Sequence, residues 1–191
     1  MDNNNNTSVE KIESTLSPAE FRAYNRLAEK MDLYHNYFRQ TWNQLYDACR
    51  NNKRPAGLSI RQFLHLGLDF CWTLATHHSI EEQVLFPFLA KKMPEFAVGV
   101  PGNDDIDAAA NDLDLDLLQQ HKEIHAGMDR LEDYLQRCRV GEDELRLQEV
   151  KRLMDGFAAV LWTHLDEEVR TLRAENMRKY WTLAELKKFP V

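Results

Sequence analysis

Cysteine is scarce in this sequence and arranged for no partner. Cys49, Cys71 and Cys138 are odd in number, far apart, and each set in an apolar, helix-like stretch. With no Cys-x-x-Cys pair and no Cys–His spacing, a disulfide framework, structural zinc and an iron–sulfur cluster are all disfavoured. Free buried thiols in a reducing compartment are expected instead. Long hydrophobic runs are missing too: nowhere do 18 apolar residues follow one another, so no membrane span is expected. The opening stretch MDNNNNTSVEKIEST has acids and an asparagine run where a signal peptide would have an apolar core. These features together point to the cytoplasm. No basic stripe is present, and a net charge of −7 argues against nucleic acid as the main partner, since phosphate contacts need a basic face. Glycine is rare and forms no phosphate loop, and no segment alternates as a strand would.

What is present is helix. At 191 residues with 43% hydrophobic side chains, the chain is long enough for one domain that needs no disulfide staples. Residues 1–16 read as a disordered tail, 17–178 as a helical bundle, and 179–191 as a C-terminal tail with a short helix. Ser17-Pro18-Ala19-Glu20 combines a capping box with a proline at the first helical position and predicts a helix over 18–51. Ser59-Ile60-Arg61-Gln62 opens a second, whose inward line runs Phe63, Gly67, Phe70, Leu74, His77, Glu81, Val84 and Phe88. Pro87 should kink or tighten its last turns, and Pro94 should mark its end. A loop over 94–111 precedes a third helix at 112–139, and Gly141 suits the turn after it. A fourth helix is expected over 142–178 and a short final one near Thr182-Leu183-Ala184-Glu185. The aromatic and lysine-rich tail beyond Tyr180 could close a bundle end or meet a partner. Four amphipathic stripes joined by mostly short connections predict an all-α, antiparallel up-down-up-down four-helix bundle.

The histidines depart from an ordinary bundle. Residues four apart on a helix share a face, about 6 Å apart along the axis, so such a pair can grip a metal ion without bending the backbone. The second predicted helix offers His77 and Glu81, the third His121 and His125, the fourth His164 and Glu168, and the first His35. A lone histidine on an apolar face is ordinarily a hydrogen-bonded core residue. One inward group per helix, each near mid-length, is how bundles build metal sites. Seven such ligands are too many for one tetrahedral ion and suit two ions sharing carboxylates. The spacing also permits a second register on the second helix, His78 with Glu82. His65 has no such partner, and Trp42, Trp72, Trp162, Tyr34, Phe38 and Phe70 read first as core packing.

The stretch from His77 to Pro87, HHSIEEQVLFP, resembles the H-x3-E-E-x3-F-P signature of hemerythrin-like (HHE cation-binding) domains. Gln120-His121-Lys122-Glu123-Ile124-His125 is similar to the family's EH-x3-H segment, and His164 to Glu168 resembles its closing pair. The likeness runs from about residue 20 to 175, and it favours the His77 and Glu81 register. It implies two iron ions, ahead of manganese or zinc, with an oxo or hydroxo bridge. His121, His125 and His164 would hold one ion, His35 and His77 the other, and Glu81 and Glu168 would bridge both. The open position on the second ion would take dioxygen or another small diatomic molecule. Oxygen-carrying members close with H-x4-D, whereas this chain has Val169 there, so Glu168 must serve with a longer arm. The resemblance therefore implies a non-heme di-iron protein binding dioxygen or NO for sensing, storage or delivery, with a di-iron oxygenase or oxidase acting on a small organic substrate as the alternative.

Overall fold

The computed structural model describes residues 16–97 and 117–189, and these form helices and turns with no strand among them. The acids at the start of the predicted third helix and most of the 94–111 loop lie outside the described residues. Helix α1 spans Pro18–Arg50, α2 Ile60–Ile80, α3 Phe86–Leu89, α4 Leu117–Val140, α5 Leu147–Thr171, α6 Ala174–Tyr180 and α7 Leu183–Leu186. Both predicted capping boxes form, at Ser17 with Glu20 and at Ser59 with Gln62, and so does the one at Thr182 with Glu185.

Contacts between the four long helices run in opposite senses. His35 and Cys49 of α1 meet Leu165 and Gln148 of α5. Along α2 and α4, Glu82 just beyond α2 meets His121, and Gly67 faces Leu135. Gln120 and Tyr134 of α4 meet Glu167 and Arg146 at the two ends of α5. The expected antiparallel bundle is therefore the fold. The cysteines are free as expected, Cys49 and Cys71 buried and Cys138 half-buried, and burial pushes the Cys49 and Cys71 thiols up to about 12.

Two expected helix ends differ. Between α2 and α3, Glu81–Leu85 forms a π-helical turn, in which the Phe86 amide donates to the Glu81 carbonyl. Pro87 supplies the reason: it has no amide to give, and its ring crowds the carbonyl one α-turn back. The wider turn inserts one residue, so the inward line shifts by one. Leu85 and Phe86 are buried, while Val84 is exposed and Phe88 half-buried. The long fourth helix also breaks, at Leu172 and Arg173, and α6 and α7 fold across the bundle end. Trp181 and Phe189 pack there against Phe88, with ring centroids 5.2 and 4.6 Å away. The bundle-end reading of the tail is the one the structure adopts.

Apolar side chains gather in two clusters. One holds Phe38, Trp42, Phe70, Leu74, Ile124 and Phe157, and the other Met31, Leu85, Phe86, Leu117, Leu172 and Met177. On each long helix of the bundle a polar layer separates them: His35 on α1, His77 to Glu81 across the end of α2, His121 on α4, and His164 and Glu168 on α5.

Candidate metal centre

His77 and His78, adjacent near the end of α2 and about 100° apart round its axis, both approach the bundle axis. Two groups of side chains result, each with its donor atoms within 4.8 Å of one another: His35, His77, Glu81 and Glu168, and His78, Glu81, His121 and His164. All but His77 are buried, and His77 is nearly so. Glu81 belongs to both groups. Its Oε1 lies 2.9 Å from His77 Nε2 and its Oε2 3.5 Å from His121 Nε2. Glu168 Oε2 also reaches both ways, 3.3 Å from His35 Nε2 and 3.7 Å from His164 Nε2.

The two registers weighed for α2 are thus not exclusive. His77 and Glu81 enter as expected, and His78, the neighbour set aside with Glu82, stands in the second group. His125, expected beside His121 and His164, falls outside both groups. It is half-buried, with Nε2 3.3 Å from His78 Nδ1. The physical reason is the pitch of α2: adjacent residues stand about 100° apart, so His77 and His78 straddle the inward line and His78 reaches His121 and His164. His65 is exposed on α2, away from the site.

The outer nitrogens of these rings fix what the inner ones can do. His35 Nδ1 donates to the Leu165 carbonyl at 2.9 Å, His121 Nδ1 to Glu82 Oε1 at 2.8 Å, and His164 Nδ1 to Gln120 Oε1 at 3.2 Å. Each partner can only accept, so each Nδ1 carries the proton and each Nε2 presents a lone pair inward. Yet His121 and His164 bring these lone pairs within 3.3 Å of each other, and His35 Nε2 lies 3.3 Å from His77 Nε2. Among the described residues, His78 Nε2 and both oxygens of Glu81 and Glu168 are buried without a hydrogen-bond partner. Buried acceptors facing acceptors repel unless a cation lies between them. The donor set, imidazole and carboxylate without thiolate, fits iron, manganese, zinc or copper.

Burial also prepares the ligands. It pushes His77 down to about 4 and His164 to about 3, places His78 well below its ordinary value, and lowers His121 against the opposing pull of Glu82. These imidazoles are neutral at pH 7 and free to coordinate. Burial, then the neighbouring Glu168, raises Glu81 well above the carboxylate range. Burial also acts to raise Glu168, but His35, His164 and His77 outweigh it and hold the group down to about 2. In the metal-free protein the carboxylate pair therefore keeps one proton, on Glu81.

A pH dependence follows for metal-free protein. Unfolded imidazoles take a proton near pH 6.5, whereas these folded ones refuse it until far lower. Between those values the unfolded state binds more protons, so their contribution is present above about pH 6.5 and lost as pH falls. The loss is on the order of 2 kcal/mol at about pH 5 for an imidazole shifted as far as His77. Glu81 acts in the opposite sense, by one proton against several. Thermal melts of the apo protein should show Tm falling as pH is lowered from 6.5 to 5. A level or rising Tm over that range would contradict this arrangement.

The sequence matches the hemerythrin HHE cation binding domain over residues 26–172. The chain belongs to that family. Within it, the layer of histidines and glutamates is a metal-binding site by both the family match and the geometry. Among curated proteins this HHE-domain chain is similar to the dimeric xanthone biosynthesis cluster protein R11 of Cryptosporiopsis sp. (strain 8999). The two are 27% identical over 167 residues, covering 83% of this chain and 56% of the relative. The chain thus spans a little over half the length of that relative. No solved structure matches. No described helix is long and apolar enough to cross a membrane.

Proposed function

We propose that the HHE-domain layer holds two iron ions and binds dioxygen, or NO, for sensing, storage or delivery. One ion would take His35, His77, Glu81 and Glu168, the other His78, His121 and His164 with Glu81 shared. The observation that carries this is Glu81, whose two oxygens turn to different groups of lone-pair nitrogens. When bound, the iron pair supplies the electrons with which dioxygen is held or reduced. The chain's own part is to exclude water from the His78, His121 and His164 half, where all three rings are fully buried. It also orients the ligands through Leu165, Glu82, Gln120 and His125.

A second reading, an oxidase or oxygenase acting on a small organic molecule, is favoured by two further observations. A cavity of about 380 Å³ opens beside His77 and Glu81, and the R11 relative is named for a biosynthetic cluster. Both readings expect about two irons per chain. His78→Ala should lose one of them, whereas His125→Ala should keep both with weaker binding, a reduction of about 10- to 100-fold being usual for an orienting partner. Metal analysis of the two variants checks the ligand set, and the reverse pattern would return the third place to His125. Mixing reduced protein with dioxygen anaerobically in a stopped-flow instrument separates the two functions. A coloured adduct that reverses under vacuum supports binding, and rapid loss of the reduced form coupled to oxidation of an added organic molecule supports the oxidase. A chain holding one zinc and reacting with neither would overturn both.

A further inference from the structure

The cavity beside the site is asymmetric in a way the metal layer alone does not explain. It lies between α1 and α2 and its lining includes His77 and Glu81, whereas His78, His121 and His164 take no part in it. Its inner wall is apolar, made by Leu27, Met31, Phe38 and Leu85, with Ile80 exposed at the rim. Rings continue this wall from the mouth to the metal layer. Tyr34, about half exposed, sits 5.7 Å from the His77 ring, and Phe38, fully inside, 5.1 Å from it. Trp72 lines the other side, on α2, and is 67% exposed. A tryptophan so exposed, beside a tyrosine and over an apolar cavity, is uncommon on a surface that meets only water.

Charge narrows the choice of occupant. Of the lining residues, Lys30 is the one cation and lies at the exposed end, while Glu81 is the one carboxylate and lies at the buried end. Thr73 and Thr76 add hydroxyls on the α2 side, the latter donating to the Trp72 carbonyl at 2.8 Å. Flat walls of aromatic rings favour a flat aromatic guest, through stacked and edge contacts. In the metal-free protein the one lining cation stands at the mouth, which favours an acidic oxygen that stays outermost. The volume falls in the range of small-molecule sites, about 300–1,000 Å³.

We propose that this cavity binds a small planar aromatic acid, a carboxylate or phenolate, with its ring against Tyr34, Phe38 and Trp72, its acidic oxygen at Lys30 and its far edge toward His77 and Glu81. This rests on the dinuclear reading for its functional meaning, since it sets the guest beside the His35 and His77 half of the site. The binding itself does not depend on metal.

The test uses 2-naphthoate as the probe, with 2-naphthylmethylammonium as the same ring system bearing the opposite charge. Calorimetric titration of the full chain should show saturable binding of naphthoate and much weaker binding of the ammonium compound. Lys30→Glu, at an exposed position, should weaken naphthoate about five- to tenfold, as expected for reversing a partly screened charge. Thr73→Trp, which fills the cavity, should weaken it about tenfold or more. Circular dichroism and metal content confirm that each variant is folded. In iron-loaded protein the bound probe's proton resonances should broaden relative to the apo protein, because its ring edge lies beside the ions. Naphthoate affinity unchanged in both variants, or preference for the ammonium compound, overturns the proposal. If two irons bind and naphthoate does not, the cavity proposal fails alone. If no iron binds but naphthoate shows the expected variant pattern, the dinuclear reading fails and the cavity site stands.

Discussion

Glu81→Gln is expected to abolish the stabilisation that metal gives this protein while leaving the metal-free fold as stable as before or more so. Metal present at a thousandfold excess over its dissociation constant adds about 4 kcal/mol, which for a chain of this size raises Tm by roughly 8–16 °C. The amide replaces the carboxylate that turns one oxygen to His77 and the other to His121. It keeps one acceptor, so at most one side of the site retains its ligand. In the apo protein burial and Glu168 oppose a charge that this carboxyl carries in the unfolded chain at pH 7, whereas an amide has no charge to give up on folding. The two effects have opposite signs, which a merely structural residue would not give. Differential scanning calorimetry with and without metal measures both. Glu82→Gln, one residue on, is the control: it touches the site through His121 Nδ1 and should weaken metal binding without changing the stoichiometry. An E81Q protein that still gains its full Tm shift and holds two ions would remove the shared-carboxylate arrangement.

Gly127→Ala is expected to destabilise the protein by about 1–3 kcal/mol, despite alanine's better helix propensity. A Cβ at this position would sit 2.5 Å from both Cβ and Cγ of Phe157. Those atoms are the root of a fully packed side chain and cannot swing away, so α4 and α5 must separate. The separation falls a turn and a half from His121 and would draw it off His164, so metal content should fall with stability. Gly156→Ala offers the matched comparison, because nothing lies within 4 Å of its added methyl. That change should stabilise by about 1 kcal/mol through helix propensity alone. Urea melts of the two variants, read beside metal analysis, test the close approach of the helices. Equal effects of the two substitutions would argue against it.

The bundle was legible in the sequence because its cues are local. Ser17 with Glu20 and Ser59 with Gln62 announce helix starts within four residues, and the apolar stripes repeat at helical spacing. Six of the seven residues singled out for the site, His35, His77, Glu81, His121, His164 and Glu168, come together in the two groups. Spacing of four residues and placement on separate helices are enough for that. His78 was harder to assign, because spacing of four follows one register at a time, whereas α2 buries adjacent pairs such as Phe63 with Leu64 and Phe70 with Cys71. The π turn ahead of Pro87 acts further on, where it moves burial from Val84 to Leu85. His125 has the expected spacing from His121, but its ring stands outside both groups, against His78. The break at Leu172 depends on α6 and α7 finding cover on Phe88 and the far apolar cluster, a tertiary preference that no window of sequence contains.

The polar layer between the two apolar clusters works as a partition. Below it, Phe38, Trp42 and Phe157 form one oily compartment; above it, Met31, Phe86 and Trp181 form another. Oil cannot cohere across a sheet of like-natured acceptors, so without a cation each compartment is held to its neighbour chiefly by the helix backbones that thread both. Cations in the two groups, which share Glu81 and together draw on four helices, would turn that partition into a tie. Loading the site would then convert a molecule whose capped end can loosen by itself into one that melts as a single body.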